Sequence, residues 1–477
     1  MSKIIFIEPK APNLHIYSQF PSPRLGCFIL GALMQQRGWD VEIIYEEMQK
    51  IDFAKVKSAD LVGISTITSS APRAYMIADK IRQMGIPVII GGPHVTFLKE
   101  EALEHADYVI RGEGEKALMA FIGVWEKGGD YSSVPNLSFK KNGNVIHNPM
   151  EPFIDNLDQI PFPDFSQLKV KNKGLGGHMI IPIQTSRGCP FDCSFCSVTG
   201  MFGRKYRFRS TQNVIEELRR YNHRKNFIFF YDDNFAANRR HTKELLEAMI
   251  EEKFKFKWST QVRADVARDE EIVRLMKKAG CNFLFIGFES VNPKSLKEMK
   301  KRQTIEEIVQ AIKVIRHHRI NIHGMFVYGF DKDDWQTVKK TVRFAKKRKL
   351  TSTQFLILTP IPGSEFFNRM KDEHRILFKD WALYDGHHVV FQPARLSLFN
   401  LQRAQIFSHK KFYSWIEMVK KFIRCKWLDL GLAHYARNLN RLWQKKNRTF
   451  LKVIDLLTSK KNAKIEIDYK QEIILDR

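Results

Sequence analysis

Short runs of β-branched and aromatic residues recur along the first 115 positions, at 3–7 (KIIFI), 40–45 (DVEIIY), 60–66 (DLVGIST), 87–91 (PVIIG) and 107–110 (DYVI). Between them lie stretches with helical spacing at about 24–38, 71–85 and 98–105. This alternation predicts βαβ units and a parallel, doubly wound α/β sheet. Ligands of such sheets bind at the carboxyl ends of the strands. Those ends are here STITSS at 65–70, GGPH at 91–94 and RGEGE at 111–115. Residues 116–178 are less regular: NGNV at 142–145 reads as a hairpin turn and IPFPDF at 160–165 as an extended linker, which places a boundary near 150–178.

From 179 the alternation resumes, with strands near 180–184, 226–231, 256–261, 282–288, 321–328 and 353–358. Helical patterns intervene at about 211–224, 240–252, 269–279, 304–318 and 334–348. Six βα units are fewer than the eight of a closed barrel, so a partial barrel open on one side is expected. After about 380 the strand signal fades and aromatic, basic helical patterns take over, as in FYSWIEMVKKFIR at 412–424 and HYARNLNRLWQKK at 434–446. The expected units are therefore 1–150, 179–365 and 380–477.

Composition narrows the classes. With 44% hydrophobic and 27% charged residues the chain is an ordinary globular sequence, neither disordered nor fibrous. Six cysteines in 477 residues do not form a secreted disulfide framework, which points to a reducing, cytoplasmic compartment. The first residues lack the apolar stretch of a signal peptide, and no run approaches the length that spans a bilayer. The net charge of +26 is uneven: residues 401–477 carry 18 Lys and Arg against 7 Asp and Glu, whereas residues 1–120 carry 13 against 14.

The chemistry concentrates in TSRGCPFDCSFCSV, directly after the first strand of the second unit. Cys189, Cys193 and Cys196 place three thiolates within eight residues around a turn with Gly188 and Pro190. Such a set can converge on a soft metal centre. Structural zinc takes four ligands, and no fourth Cys or His stands at the usual spacing. A 4Fe-4S cluster held by three thiolates instead leaves one iron open.

This motif, at the top of a first barrel strand, resembles the signature of the radical S-adenosylmethionine (SAM) superfamily over roughly residues 179–365. The resemblance implies a partial (β/α)6 radical SAM barrel whose open iron binds S-adenosyl-L-methionine and whose reduced cluster cleaves it to a 5′-deoxyadenosyl radical. It implies an external electron donor such as flavodoxin or ferredoxin. It assigns Phe195 to adenine, Asp233 to the methionine amino group, and Arg263, Glu289 and Ser290 to cofactor contacts at the third and fourth strand ends. Gly324–Gly329 would add backbone contacts to adenine, and Thr359–Gly363 a closing loop.

A doubly wound, Rossmann-like unit before this barrel resembles the cobalamin-binding subgroup. Thr66, Thr68, Ser69, Gly91, Gly92, Arg111, Gly112 and Glu113 are the residues this resemblance places near the corrin. The Asp-x-His-x-x-Gly motif that supplies a cobalt ligand elsewhere is absent. Its nearest match, Asp385-Gly386-His387-His388-Val389-Val390, lies in the wrong unit, so a base-off cobalamin without a histidine ligand is implied. His94 reads as a satisfied loop histidine, and Cys281 and Cys425 as inert buried thiols.

The expected activity is cobalamin-dependent radical methyl transfer, or other radical chemistry, on an unactivated carbon of a small-molecule or lipid-like substrate. A cobalamin-independent radical enzyme is the alternative. A tRNA methylthiotransferase is disfavoured because only Cys27 precedes Cys189, a non-catalytic cobalamin protein because the thiol triplet is intact, and a nucleic-acid partner is not expected. The apolar stripe at 412–423 reads mainly as internal packing behind a solvated basic face, and otherwise as a peripheral membrane contact.

Overall fold

Strands β1 (Lys3–Glu8), β2 (Asp40–Tyr45), β3 (Leu61–Ser65), β4 (Val88–Gly91) and β5 (Tyr108–Ile110) build a parallel sheet extended by β6 (Leu137–Lys141) and β7 (Asn144–His147) in the order β2-β1-β3-β4-β5-β6-β7. The computed structural model describes residues 1–13, 22–168 and 179–459. Part of the expected linker, 169–178, and the end of the C-terminal unit, 460–477, lie outside the described residues.

The apolar run of β1 is continuous because both faces are covered. Ile4 and Phe6 join the core with Phe28 and Phe121 from helices Leu25–Gln36 and Gly114–Trp125. Ile5 and Ile7 pack with Ile77, Ile81 and Leu103 from helices Ala71–Gln83 and Lys99–His105 on the other face. Order reverses between β1 and β3, and that switch point is where a doubly wound sheet opens a crevice. The stretch expected to be irregular holds helix Gly114–Trp125 and two more strands. Its Asn142-Gly143 turn has positive φ at both positions, 52° and 80°, as a type I′ hairpin requires.

The second sheet comprises β8 (Met179–Ile183), β11 (Asn226–Phe230), β12 (Lys257–Val262), β13 (Cys281–Glu289), β14 (Asn321–Tyr328) and β15 (Ser352–Ile357). All five pairings are parallel, and β8 and β15 remain unpaired edges, so the barrel is open. A two-residue ladder joins β9 (Ser186–Arg187) to β10 (Arg207–Phe208). Trp258 packs outward against Phe230 and Phe235 at ring distances of 5.2 and 5.7 Å. By alternation Phe229, Ser259, Phe283, Phe285, His323, Met325, Ser352 and Gln354 face the lumen.

Beyond the barrel, helix Leu398–Phe412 lies along β15. The Tyr413 hydroxyl caps that edge strand, donating to the Thr353 carbonyl at 2.7 Å and accepting from its N–H at 2.8 Å. Helices Trp415–Ile423, Trp427–Lys446 and Arg448–Ser459 follow. The pattern at 412–424 is thus not one helix: the break at Tyr413–Ser414 turns Phe412 inward while the next helix starts a new register.

Candidate active site

The cysteine loop is a closed excursion between β9 and β10, anchored from three sides. Gly188, at φ 85°, is obligatory, since a Cβ there would lie 2.4 Å from the Lys205 carbonyl. Ser194 donates its N–H to the Met299 carbonyl at 3.2 Å and accepts from the Phe366 N–H at 2.7 Å. From below, the fully buried Asp232 accepts from the N–H and hydroxyl of both Thr185 and Ser186 at 2.5–3.1 Å. Burial outweighs these bonds and raises the Asp232 pKa to about 6.

All three loop thiols are free and partly accessible. Burial pushes the Cys196 thiol up to about 12, and Cys189 is raised for the same reason, with the charge of Asp233 adding at both. Among the described residues no three His, Cys, Asp or Glu side chains meet closely enough to hold one metal ion. A cubane takes each thiolate on a different iron.

Asp233 is open to solvent on one side yet set deep among protein atoms, so desolvation, with Asp232 adding, lifts its pKa to about 7. Neither Asp233 nor Asn234 caps the following helix; Asn238 does, accepting from the His241 N–H. Arg263 reaches Cys193 Sγ at 3.8 Å, stacks over Phe191 with its guanidinium 3.7 Å from the ring centroid, and donates to the Lys301 carbonyl. Its buried Nε makes no hydrogen bond. Glu289 sits at φ 60° where a bulge shifts the β13–β14 register, and pairs with Lys301 at 2.9 Å. Ser290 beside it is buried and accepts from the Asn292 N–H. Phe195 lies edge-on to Phe330 at 6.1 Å. Five of the expected residues, Phe195, Asp233, Arg263, Glu289 and Ser290, therefore gather at the same strand ends as the thiols.

The amino-terminal residues divide. Thr66, Thr68, Ser69, Gly91 and Gly92 lie together after β3 and β4, where Thr66 Oγ1 donates to the Gly91 carbonyl at 3.1 Å. Gly92, at φ 107°, lets the two loops touch, since a Cβ would come within 2.3 Å of the Thr66 carbonyl. At Gly91 a Cβ would meet the Ile110 carbonyl at 3.7 Å, an ordinary packing contact. Arg111 is turned away, holding the carbonyls of Asn136 and Asn148, and the Gly112 N–H donates to Thr96. Glu113 faces the barrel, where with Glu115 it pairs with Arg187 and Arg207 in a buried cluster. His94 is not hydrogen-bonded at either ring nitrogen; it sits 3.5 Å from Glu101 and edge-on to Trp381 at 5.2 Å.

Residues that the sequence pattern does not single out line the lumen. Phe229, Phe283, Phe285, Met325 and Leu356 are only partly buried although they belong to inner strands or face across the open sheet. His323 packs on Phe285 at 5.0 Å and bonds to Ser352 Oγ at 2.8 Å, and burial drops its pKa to about 4. Buried Ser259 Oγ and Gln354 Nε2 have no hydrogen-bond partner. The period-2 pattern of these strands carried the signal, but inner and outer faces are equally apolar in it.

Three expectations are corrected. Cys281 is buried, but Cys425 is exposed in the turn ending helix Trp415–Ile423. Apart from Met418, the apolar residues of that helix face solvent rather than packing inward. His94, expected to be a satisfied loop histidine, has neither ring nitrogen hydrogen-bonded. In the C-terminal core, Asp385 and His388 form a buried pair at 2.9 Å.

The protein thus sets a doubly wound sheet against an open parallel barrel, with three thiols at the barrel's carboxyl end. The radical SAM superfamily model matches residues 183–345 and a B12 binding domain model matches residues 16–122. An uncharacterised methyltransferase of Pyrococcus horikoshii is 32% identical over 375 residues, covering 76% of this chain and 81% of that protein. Bacteriochlorophyllide d C-12(1)-methyltransferase of Chlorobaculum tepidum is 30% identical, covering 83% of each. The solved cobalamin-dependent SAM radical enzyme OxsB, with aqua-cobalamin and S-adenosylmethionine bound, superposes with a TM-score of 0.70 at 17% identity, over 96% of this chain and 80% of that one, and so shares the fold. The chain belongs to the radical SAM superfamily, in its cobalamin-binding class, and its cofactors are a 4Fe-4S cluster, S-adenosylmethionine and cobalamin. The free, partly accessible thiols and the buried Arg263 Nε, which makes no hydrogen bond and has only Asp265 at 3.6 Å, fit the cluster and S-adenosylmethionine.

Proposed function

We propose that the protein transfers a methyl group to an unactivated carbon of a largely apolar substrate held in the barrel lumen. The observation that carries this reading is the partly open aromatic face of Phe229, Phe283 and Phe285 on the concave side of the sheet that ends at the cysteine loop. The kinship with methyltransferases supports the group transferred.

When bound, the cofactors supply a primary alkyl radical able to take hydrogen from an sp3 C–H bond and a methyl group to replace it. Cys189, Cys193 and Cys196 would hold the cluster. Asp233 and the Glu289–Lys301 pair present both signs of charge beside them, suited to an amino-carboxylate group. Arg263, lodged between Cys193 and Phe191, orients the loop. Small residues after β3 and β4 would seat the corrin. The Glu113–Arg187 contact holds the carboxyl ends of the two sheets toward each other, so that both reagents can reach one lumen. The phenylalanines exclude water, which protects a reactive carbon radical. Gln354 Nε2 is a free donor for one oxygen of the substrate, with Ser259 Oγ deeper in the lumen. A low-potential reductant such as flavodoxin or ferredoxin completes the system.

Anaerobically reconstituted protein should bind hydroxocobalamin in a base-off form and cleave S-adenosylmethionine to 5′-deoxyadenosine. Incubation with apolar fractions should yield a product heavier by one methyl group. Cleavage without any corrinoid binding by the folded protein would overturn the methyl-transfer reading and leave a cobalamin-independent radical enzyme.

A further inference from the structure

We propose that helix Trp415–Ile423, with the first turn of Trp427–Lys446, is a docking surface for an anionic lipid bilayer. In the helix, Trp415, Ile416, Phe422 and Ile423 are 57%, 69%, 57% and 73% exposed, and Trp427 follows at 61%. Positions 415, 419 and 422, flanked by 416 and 423, form one stripe at helical spacing, so the exposure is a continuous face rather than scattered residues. The opposite side of the helix is the seated one. There Met418 is buried, Lys421 Nζ lies 3.5 Å from the Thr351 carbonyl and 3.4 Å from the Asp429 carbonyl, and Glu417 approaches Lys346 at 3.6 Å. The helix is therefore held in place with its apolar face outward. A contiguous apolar face of this kind marks an interaction site.

The flanking charge identifies the occupant. Lys410, Lys411, Lys420, Arg424 and Lys426 are exposed around the stripe, and Glu417 is turned toward Lys346 and Lys420. Long basic side chains can lay their stems along an apolar surface while their heads reach phosphates, and tryptophan favours the headgroup boundary. The helix has only nine residues, and no helix among the described residues is long and apolar enough to cross a membrane, so it would lie in the interface plane. An acidic protein would satisfy the cations but would need a groove shaped to the outward stripe of large side chains; the bilayer satisfies both without one. The surface stands beside the amino end of β15, at the open side of the barrel. This inference does not depend on the chemistry proposed above.

The full-length protein should co-sediment with vesicles of phosphatidylcholine containing about 30% phosphatidylglycerol and bind pure phosphatidylcholine more than about tenfold less tightly. Replacing Lys420, Arg424 and Lys426 with Gln should weaken anionic binding by more than about tenfold, and added salt should do the same. Trp415→Glu with Phe422→Glu should remove binding to both vesicles, with circular dichroism and melting confirming the fold. Tryptophan emission should shift to the blue on vesicle addition in the parent and not in this variant. No association of the parent with anionic vesicles, or association untouched by the double substitution, would overturn the proposal. So would a concentration-dependent dimer that the double substitution converts to monomer while vesicle binding is absent, since a second copy would then cover the face.

Discussion

At the scale of single residues, the two aspartates after β11 have been given different work by one peptide bond's difference in direction. Asp232 spends both oxygens on Thr185 and Ser186, whereas Asp233 stays open beside the thiols. Asp232→Ala would leave four donors of the loop without their acceptor, and a loss of about 3 kcal/mol in stability with a lower iron content after reconstitution is expected. Iron analysis and denaturant unfolding measure both. Cys189→Ala, Cys193→Ala and Cys196→Ala should each abolish the electron paramagnetic resonance signal of the reduced cluster. The thiols were legible because three soft ligands at that spacing have few other uses. The strand-end positions of Glu289 and Arg263 could be read from the sequence. The placement of Lys301 beside Glu289 and of Gln354 beside His323 could not, because both contacts join segments apart in the chain.

At the scale of elements, the parallel strands of both sheets were readable nearly to the residue, since buried parallel strands and amphipathic helices imprint different periods, whereas helix Gly114–Trp125 and the antiparallel β6 and β7 were read only as an irregular stretch with a turn. The C-terminal helices were harder. Their apolar content is similar whether a face meets the core or water, and the break at Ser414 is a local event. His388 shows what the sequence hid there. Burial opposes its charge, but Asp385, and the Asn447 carbonyl oxygen fixed by that side chain's own bond to Trp443, outweigh burial and raise its pKa. Both ring nitrogens donate, so the folded state prefers the imidazolium. The stabilisation is full below the ordinary histidine pKa of about 6.5 and is lost as pH rises through the higher folded value. Melting temperature should therefore fall on raising pH above neutrality. Asp385→Asn should cost about 3 kcal/mol near pH 6 and flatten that dependence, which melting curves across pH would show.

At the scale of the whole molecule, the two sheets are joined through charge. Arg187 and Arg207 are buried against Glu113 and Glu115, and Arg187 stands two residues before Cys189. Burial raises the cost of a free carboxylate at Glu115, yet its pKa is lowered because the Arg187 and Arg207 charges outweigh that cost. Glu113→Ala would strand buried guanidinium charge and should lower stability by about 3 kcal/mol, separating the unfolding of the two sheets into distinguishable steps in urea. No composition rule foretold this joint, because RGEGE reads equally well as a ligand loop. Which loop residues face a cofactor and which face another part of the protein is settled only when the units are docked.

The Tyr413 hydroxyl has a practical consequence for dissecting the enzyme. A fragment ending after β15 would keep every strand of the barrel yet expose the Thr353 N–H and carbonyl to any passing chain. Such a fragment should polymerise edge to edge, and the catalytic half of the protein is therefore not separable from its basic tail by simple trimming.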